Sequence, residues 1–522
     1  MKRNKLYLLL PFIMAVVTTS CKKNFLQRDP VDQYSSGTFW KNENDVKIGL
    51  TGVYSNLSRE TEGFGSYLPY WESLSDNAFI GGGGWYNIST GALESTTGGI
   101  VNDAYNVNYA SIATCNYFLD NVSKAGLSAA TLAQYQAEVR TMRAYFYFQL
   151  SEIYGDLILQ LSSDANIKPT KSPKADVVKQ ILADLDFSIA NLPNTSYTGR
   201  AVKGTAQGLK LKVLLFNERW AEASLVGKDL IGNFGDLTSP NHQPFNLWSN
   251  YKGLFFKPDQ RDARNREIML AARYEAPNRT HTLDYRLGWT QWITLQPIKD
   301  LVDAYEMKDG SPNGTGSLYD PTAPYENRDT RLKNSIYVPN AGMEWKYLNA
   351  GETDQNKSNI YKGTFAGIVT GFLPVKYLDE KRAPTGYSTI SDQDIPILRF
   401  ADVLLMYAEA QNESTGPTSE AYSAANAVRN RSGQPNLPAG LSQLDFRQRV
   451  RNERRVELAL EGQRYFDLKR WKTAATVLPQ ITNPGGAKRS FLPKHYYFPI
   501  PQSEVDILKN TQSLDIQNPN YK

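Results

Sequence analysis

Trp and Tyr rings beside Asn, Asp and Arg in polar, glycine-rich sequence are the residues best suited to hold a sugar. A sugar offers apolar C–H faces ringed by hydroxyls; rings cover the faces, and amides, carboxylates and guanidinium groups satisfy the hydroxyls. Three segments have this make-up. Residues 75–90, SDNAFIGGGGWYNIST, carry Asp76, Asn77, Trp85, Tyr86 and Asn87. Residues 278–292, NRTHTLDYRLGWTQW, carry Tyr285, Trp289 and Trp292, and AGMEWKY carries Trp345. The run Gly81 to Gly84 predicts a mobile loop that sets Trp85 at the surface; the alternative is that Trp85 packs on neighbouring helices. Trp292, leading into the next helix, suits the core best of these, and Trp40, Trp220 and Trp471 are assigned to packing.

Other chemistries find little footing. His242, His281 and His495 are the only histidines; none has metal-ligand spacing, and HExxH and GxSxG are missing. Trp85 follows the four glycines where a phosphate loop needs Lys and Ser or Thr. The 53 acidic residues offer many carboxylate pairs for glycoside cleavage, yet no pair is marked out, so no catalytic residue, cofactor or metal is assigned. Arg447 to Arg470 is rich in arginine but is interleaved with acids: Arg449 with Glu453, Arg454 with Glu457 and Asp467 with Arg470 have helical pairing distances. With 58 basic against 53 acidic residues, that argues for internal ion pairs and against nucleic-acid binding.

The N-terminus predicts export. Lys2, Arg3 and Lys5 precede an apolar run from Leu6 to Val17, too short for a permanent membrane span. Thr18, Thr19 and Ser20 lead into Cys21, a lipobox-like ending that predicts a signal peptide over 1–20 and acylation of the Cys21 thiol. The alternative is an ordinary signal peptide with a chance cysteine. Residues 21–31 form the lipidated cysteine and tether, and 32–522 one domain with a helical part to about 232 and a loop-rich, then helical, part from 233. Cys115 is then left without a partner, so the fold relies on burial and not on disulfides.

The elements that must carry these segments are mainly helical. Leu132, Tyr135, Val139, Met142, Phe146, Leu150 and Ile153 step by three and four. Ser172 and Pro173 read as an N-cap and first-turn proline, opening a stripe of Val178, Ile181, Leu185 and Ile189 that Pro193 stops. Further helices are predicted over 202–216, from Trp220 to near Gly232, and over 400–412, 419–431 and 446–461. Serial helices with short connections suggest stacked hairpins of the tetratricopeptide kind. Between 233 and 395 short runs such as 267–274 and 334–338 read as strands among loops.

A long ordered set of motifs adds a family likeness. ILRFADVLLMYAEAQNE (397–413), AYSAANAVRNRS (421–432), VRNERRVELALEGQRYFDLKRW (450–471), YYFPIPQSEVD (496–506) and QNPNY (517–521) stand in the C-terminal part. LVDAYEMKDG (301–310), NRDTRL (327–332), CKKNFLQRDP and FWKNENDVKIGLTGVYSNL stand before them. Together they resemble the RagB/SusD family of nutrient-uptake lipoproteins, departing only at Thr330 and Asn520, where Pro and Gly are usual. The resemblance implies a mainly α, SusD-like fold: tetratricopeptide-like hairpins as scaffold, long ligand-binding loops and a few short strands. It further implies an outer-membrane protein, facing the cell exterior, that captures an oligosaccharide and passes it to a SusC-like TonB-dependent transporter. Peptide binding within the same family, or glycoside hydrolysis, are the alternatives. By the same likeness Asp329, Arg464, Asp467 and Arg470 are buried pairing residues. Lys22 and Lys23 stand where acidic residues often follow the cysteine of surface lipoproteins, so the outward face rests on the likeness alone.

Overall fold

A computed structural model describes residues 39–59, 67–283, 287, 295–339, 345–347, 359–361, 368–378 and 391–522. Cys21, Tyr285, Trp289 and Trp292 lie outside the described residues, as does the side chain of Trp345.

Twelve of the described helices matter here: α1 Glu43–Ser55, α2 Gly83–Ser89, α3 Ile100–Asn121, α4 Ala129–Tyr154, α5 Lys174–Asn191, α6 Lys203–Phe216, α7 Trp220–Ile231, α8 Phe400–Thr415, α9 Ser419–Arg431, α10 Gln443–Glu457, α11 Arg464–Arg470 and α12 Gln502–Gln512. The Ser128, Thr418 and Ser442 side chains accept from backbone N–H groups in the first turns of α4, α9 and α10, satisfying donors that a helix start leaves open. From Ala137 to Tyr154 α4 is buried on nearly every side, beyond the single stripe its spacing suggests. Its buried Arg143 is matched there by a bidentate pair with Asp184 of α5, both bonds 2.8 Å. Consecutive helices from α3 to α7 pack on one another, and α8 continues the row by docking on α7 before it meets α9 and α10. This is the predicted run of hairpins.

Small differences have local causes. Ser172 lies in a two-residue strand, β3 (Lys171–Ser172), paired with Leu157, and Pro173 takes the cap position, so α5 begins at Lys174. α10 is shifted back from 446–461 because Ser442 caps it and Leu458 ends it. α3 adds 22 residues whose many Asn and Tyr blur the apolar period.

The strands are short and all antiparallel. β1 (Ala78–Phe79) pairs with β5 (Gln296–Pro297), β2 (Leu157–Ile158) with β3 (Lys171–Ser172), and β4 (Ile268–Ala272) with β10 (Ile395–Arg399). β6 (Ile336–Tyr337) pairs with β9 (Leu373–Pro374), and β7 (Trp345–Tyr347) with β8 (Asn359–Tyr361). Apolar burial forms two large clusters, one along the helical row and one among the loops of 251–395 with Val456, Ala459 and Leu460. Cys115 is buried and free.

The arginine-rich stretch is an internal ionic lattice, but its pairs are mostly not the helical ones. Asp467 and Arg470 do pair, at 2.8 Å. Arg449 instead reaches Glu306, and Glu453 takes Arg331 and Arg429. Arg454 takes Asp402 and Asp467. Glu457 is surrounded by Arg331 at 2.9 Å, Arg399 at 3.0 Å and Arg431 at 2.5 Å, whose side chains are all buried. Long-range pairing wins because α10 is wedged between the helical row and the loops, so charge on each face meets a different element. Asp329 is buried against Arg331.

Candidate functional site

The segment before α2 is clamped from behind. Asp76 is buried and receives Arg464 through bonds of 2.7 and 2.9 Å, with Arg455 at 3.1 Å. Burial pushes its carboxyl up, but the two guanidinium groups overcome that and hold it well below the usual range. Asn77 donates to Glu72 at 2.6 Å and accepts from Arg455 at 2.8 Å. Arg489 donates to the carbonyls of Ser73, Ser75 and Ala78. Asp76 and Asn77 are therefore spent on internal partners. This corrects the expectation that they touch ligand: the arginines that consume them lie almost four hundred positions away in sequence.

Glu72 sits deepest in this knot. Its other oxygen accepts from the backbone N–H of Gln463 at 3.1 Å, and burial raises its carboxyl to about 7. The close approach depends on Gly462, which has φ +74°; a Cβ there would lie 2.1 Å from the Leu68 carbonyl oxygen. Gly462→Ala is expected to cost at least about 2 kcal/mol in urea unfolding, from left-handed backbone plus the clash. A loss under half that would show that residues 68–74 can move aside.

On this base stands α2. The predicted mobile loop is instead a helix from Gly83 to Ser89, entered through extended Gly82 and through Gly83 at φ +72°. Both earlier readings of Trp85 hold in part. It is half-buried, edge-on to Trp71 at 5.3 Å and stacked near Tyr70 at 6.1 Å, at the seam of the two apolar clusters. Tyr86 is half-buried, edge-on to Phe79 at 6.2 Å, and Asn87 is exposed. Nothing within 4 Å would meet a Cβ at Gly82, Gly83 or Gly84, so open space lies before this turn. β1, which leads toward α2, pairs with β5, which follows the 278–292 segment. Two of the three aromatic segments thus enter or leave one strand pair.

The model described as the SusD family matches residues 257–521, and one described as "Starch-binding associating with outer membrane" matches 32–213. The chain belongs to the SusD family. It is 26% identical to a SusD-like protein of Bacteroides ovatus, over 88% of this chain and 81% of that one. It is 22% identical to the starch-binding protein SusD of Bacteroides thetaiotaomicron, over 79% of this chain and 77% of that one. The crystal structure of a SusD-like carbohydrate binding protein from Bacteroides fragilis superposes with a TM-score of 0.75 at 26% identity, covering 90% of this chain and 99% of that one.

Other groups in this SusD family member are structural. His242 bonds the Phe245 and Asn233 carbonyls, and His281 bonds the Gln393 carbonyl and the Leu283 N–H. Among the described residues no cluster of three or more His, Cys, Asp or Glu is placed to hold a metal, and no helix is long and apolar enough to cross a membrane. Trp40 is buried, and Trp471 donates its indole N–H to Glu409 at 2.6 Å, in keeping with packing roles. Tyr70 and Trp71, the inner wall behind Trp85, escaped the sequence reading; the YW pair before the acidic SDN turn was their only signal.

Proposed function

We propose that this protein captures an oligosaccharide on the rim formed by Trp85, Tyr86 and Asn87, completed by Tyr285, Trp289 and Trp292, with Trp345 as an outlying contact. It then delivers the sugar to a SusC-like TonB-dependent transporter, held at the outer membrane by lipid on Cys21. The observation that carries this reading is a pair of half-exposed rings on a helix whose base is locked by three arginines, Arg455, Arg464 and the buried Arg489. A platform fixed before the ligand arrives loses little entropy on binding. The starch-binding relative, the carbohydrate-binding structure and the outer-membrane description of the matched N-terminal model support it. Binding without catalysis fits the arginine pairs that occupy the buried carboxylate of Asp76.

The test is a glycan array followed by calorimetry on the glycan retained. Trp85→Ala combined with Trp289→Ala is expected to weaken binding by at least about tenfold, the loss of two ring contacts worth about 0.5–1.5 kcal/mol each beyond their area. Wild-type affinity in the double variant refutes the site, and new reducing ends during incubation refute the non-catalytic reading.

A further inference from the structure

A second cleft lies on the other side of the molecule's aromatic centre. It has a volume of about 510 Å³ and is lined by Glu152 at the end of α4, Lys174 at the start of α5, Phe216 and Glu218 at the α6–α7 turn, Lys469 of α11 and Tyr497 of the tail. That volume suits a sugar-sized ligand. The buried Trp71 and the half-buried Phe466 stand between it and Trp85: Trp71 packs against both, and Phe466 in turn faces Lys469.

The charges of the cleft do not balance. Lys174 pairs with Glu152 at 2.8 Å and Lys472 with Glu218 at 2.6 Å. Arg470 is held by Glu409 and Asp467. Lys469, only 7% exposed, is left over: its ammonium donates to the Glu152 carbonyl at 2.7 Å, and among the described residues it makes no ion pair. Rings of Tyr465, Phe466 and Tyr497 surround it at 5.3, 5.6 and 5.8 Å. A buried ammonium without a counter-anion is costly, and an anion entering the cleft would remove that cost.

We infer that this cleft binds the oxyanion of an acidic sugar, a carboxylate or a sulfate, through Lys469 with Lys174 beside it. The inference takes its ligand class from the glycan-binding reading but uses a site apart from α2. Burial and the neighbouring Lys174, opposed by Glu152, bring the Lys469 ammonium down to about 7. Arg470 and Lys472 also face the cleft. A bound oxyanion favours the charged amine, so binding takes up a proton above that pH and weakens as pH rises.

Calorimetry with methyl glucuronide, galactose 6-sulfate and neutral methyl glucoside tests this. Saturable binding of one acidic probe but not of the glucoside is expected, falling about tenfold per pH unit above 7. Whichever acid binds identifies the source of the oxyanion. Lys469→Met is expected to weaken it at least tenfold, while Trp85→Ala/Trp289→Ala leaves it unchanged. No binding of either acid, equal binding of the glucoside, unchanged affinity in Lys469→Met or loss in the tryptophan variant each overturns the assignment. Should Lys469→Met fail to fold, the Lys469 ¹³Cε resonance of the wild type serves: its pKa rises on adding the acidic sugar, and a constant value overturns the assignment. Neutral glycans failing to bind anywhere would defeat the proposed function and leave this cleft's result standing.

Discussion

Replacing Glu457 with alanine is expected to cost about 3–5 kcal/mol in urea unfolding, the range for removing one partner of a buried ion pair. The carboxylate lies at the centre of the lattice, with the buried side chains of Arg331, Arg399 and Arg431 all within 3.0 Å. Without it Arg331 keeps Asp329 and Glu453, and Arg399 keeps Glu267 and Glu461. Arg431 is left with Glu267 alone, which Arg399 already shares. Three buried guanidinium groups then face one another across the gap that the carboxylate filled. Disrupting the exposed Lys47–Glu43 pair, by contrast, should leave the urea midpoint essentially unchanged, because water screens both charges. A loss below about 1 kcal/mol for Glu457→Ala would mean that the lattice rearranges freely.

Acid should unfold the protein abruptly. Burial pushes the carboxyls of Glu457, Glu461, Asp467 and Asp76 up, but the cations packed around them more than reverse this and leave all four lowered; Asp402 falls in the same way to about 2. A carboxylate with a lowered folded pKa contributes stability that is complete above its ordinary pKa and is lost as pH falls toward the folded value. Each such group removes about 1.4 kcal/mol per pH unit across its window, so five together give a steep loss. Above that window raised and lowered groups oppose each other; burial also raises Glu267 and Asp394, which act in the same sense as Glu72. Glu72, raised to about 7, stabilises as pH falls from 7 toward 4.5, whereas His495, lowered by burial to about 4, destabilises as pH falls from 6.5. Circular dichroism should therefore stay flat from pH 7 to about 4.5 and collapse by about pH 2.5. Native ellipticity at pH 2 would contradict the lattice as the seat of stability.

The helical row was legible because its signals are local. The 3.6-residue stripe of α4 and the span of α9 need only neighbours in sequence, and α9 matches its predicted ends residue for residue. What escaped depends on distant partners. Nothing near SDN tells that Asp76 will meet Arg464, and polar composition then reads as exposure. Arg449 and Glu453 have ideal helical spacing, yet tertiary partners take both. Likewise Gly81 to Gly84 suggested mobility, whereas Trp71, packed under Trp85, orders the turn that follows. The aromatic content of the candidate rim could be read; which polar neighbours remain free could not.

The clamp behind α2 also bears on how the chain is made. Arg455 and Arg464 stand 378 and 388 positions after the residues they hold, and Arg489 stands 414 after Ser75. Synthesis delivers the N-terminal end first, so Asp76 waits without its guanidinium partners until nearly the whole polypeptide has emerged. Pairings of such long sequence separation form late and slowly. The candidate rim on α2 is thus expected to be among the last parts to mature, and for most of its biogenesis the nascent protein carries an unfinished, aromatic front edge, the kind of exposed apolar surface that favours self-association.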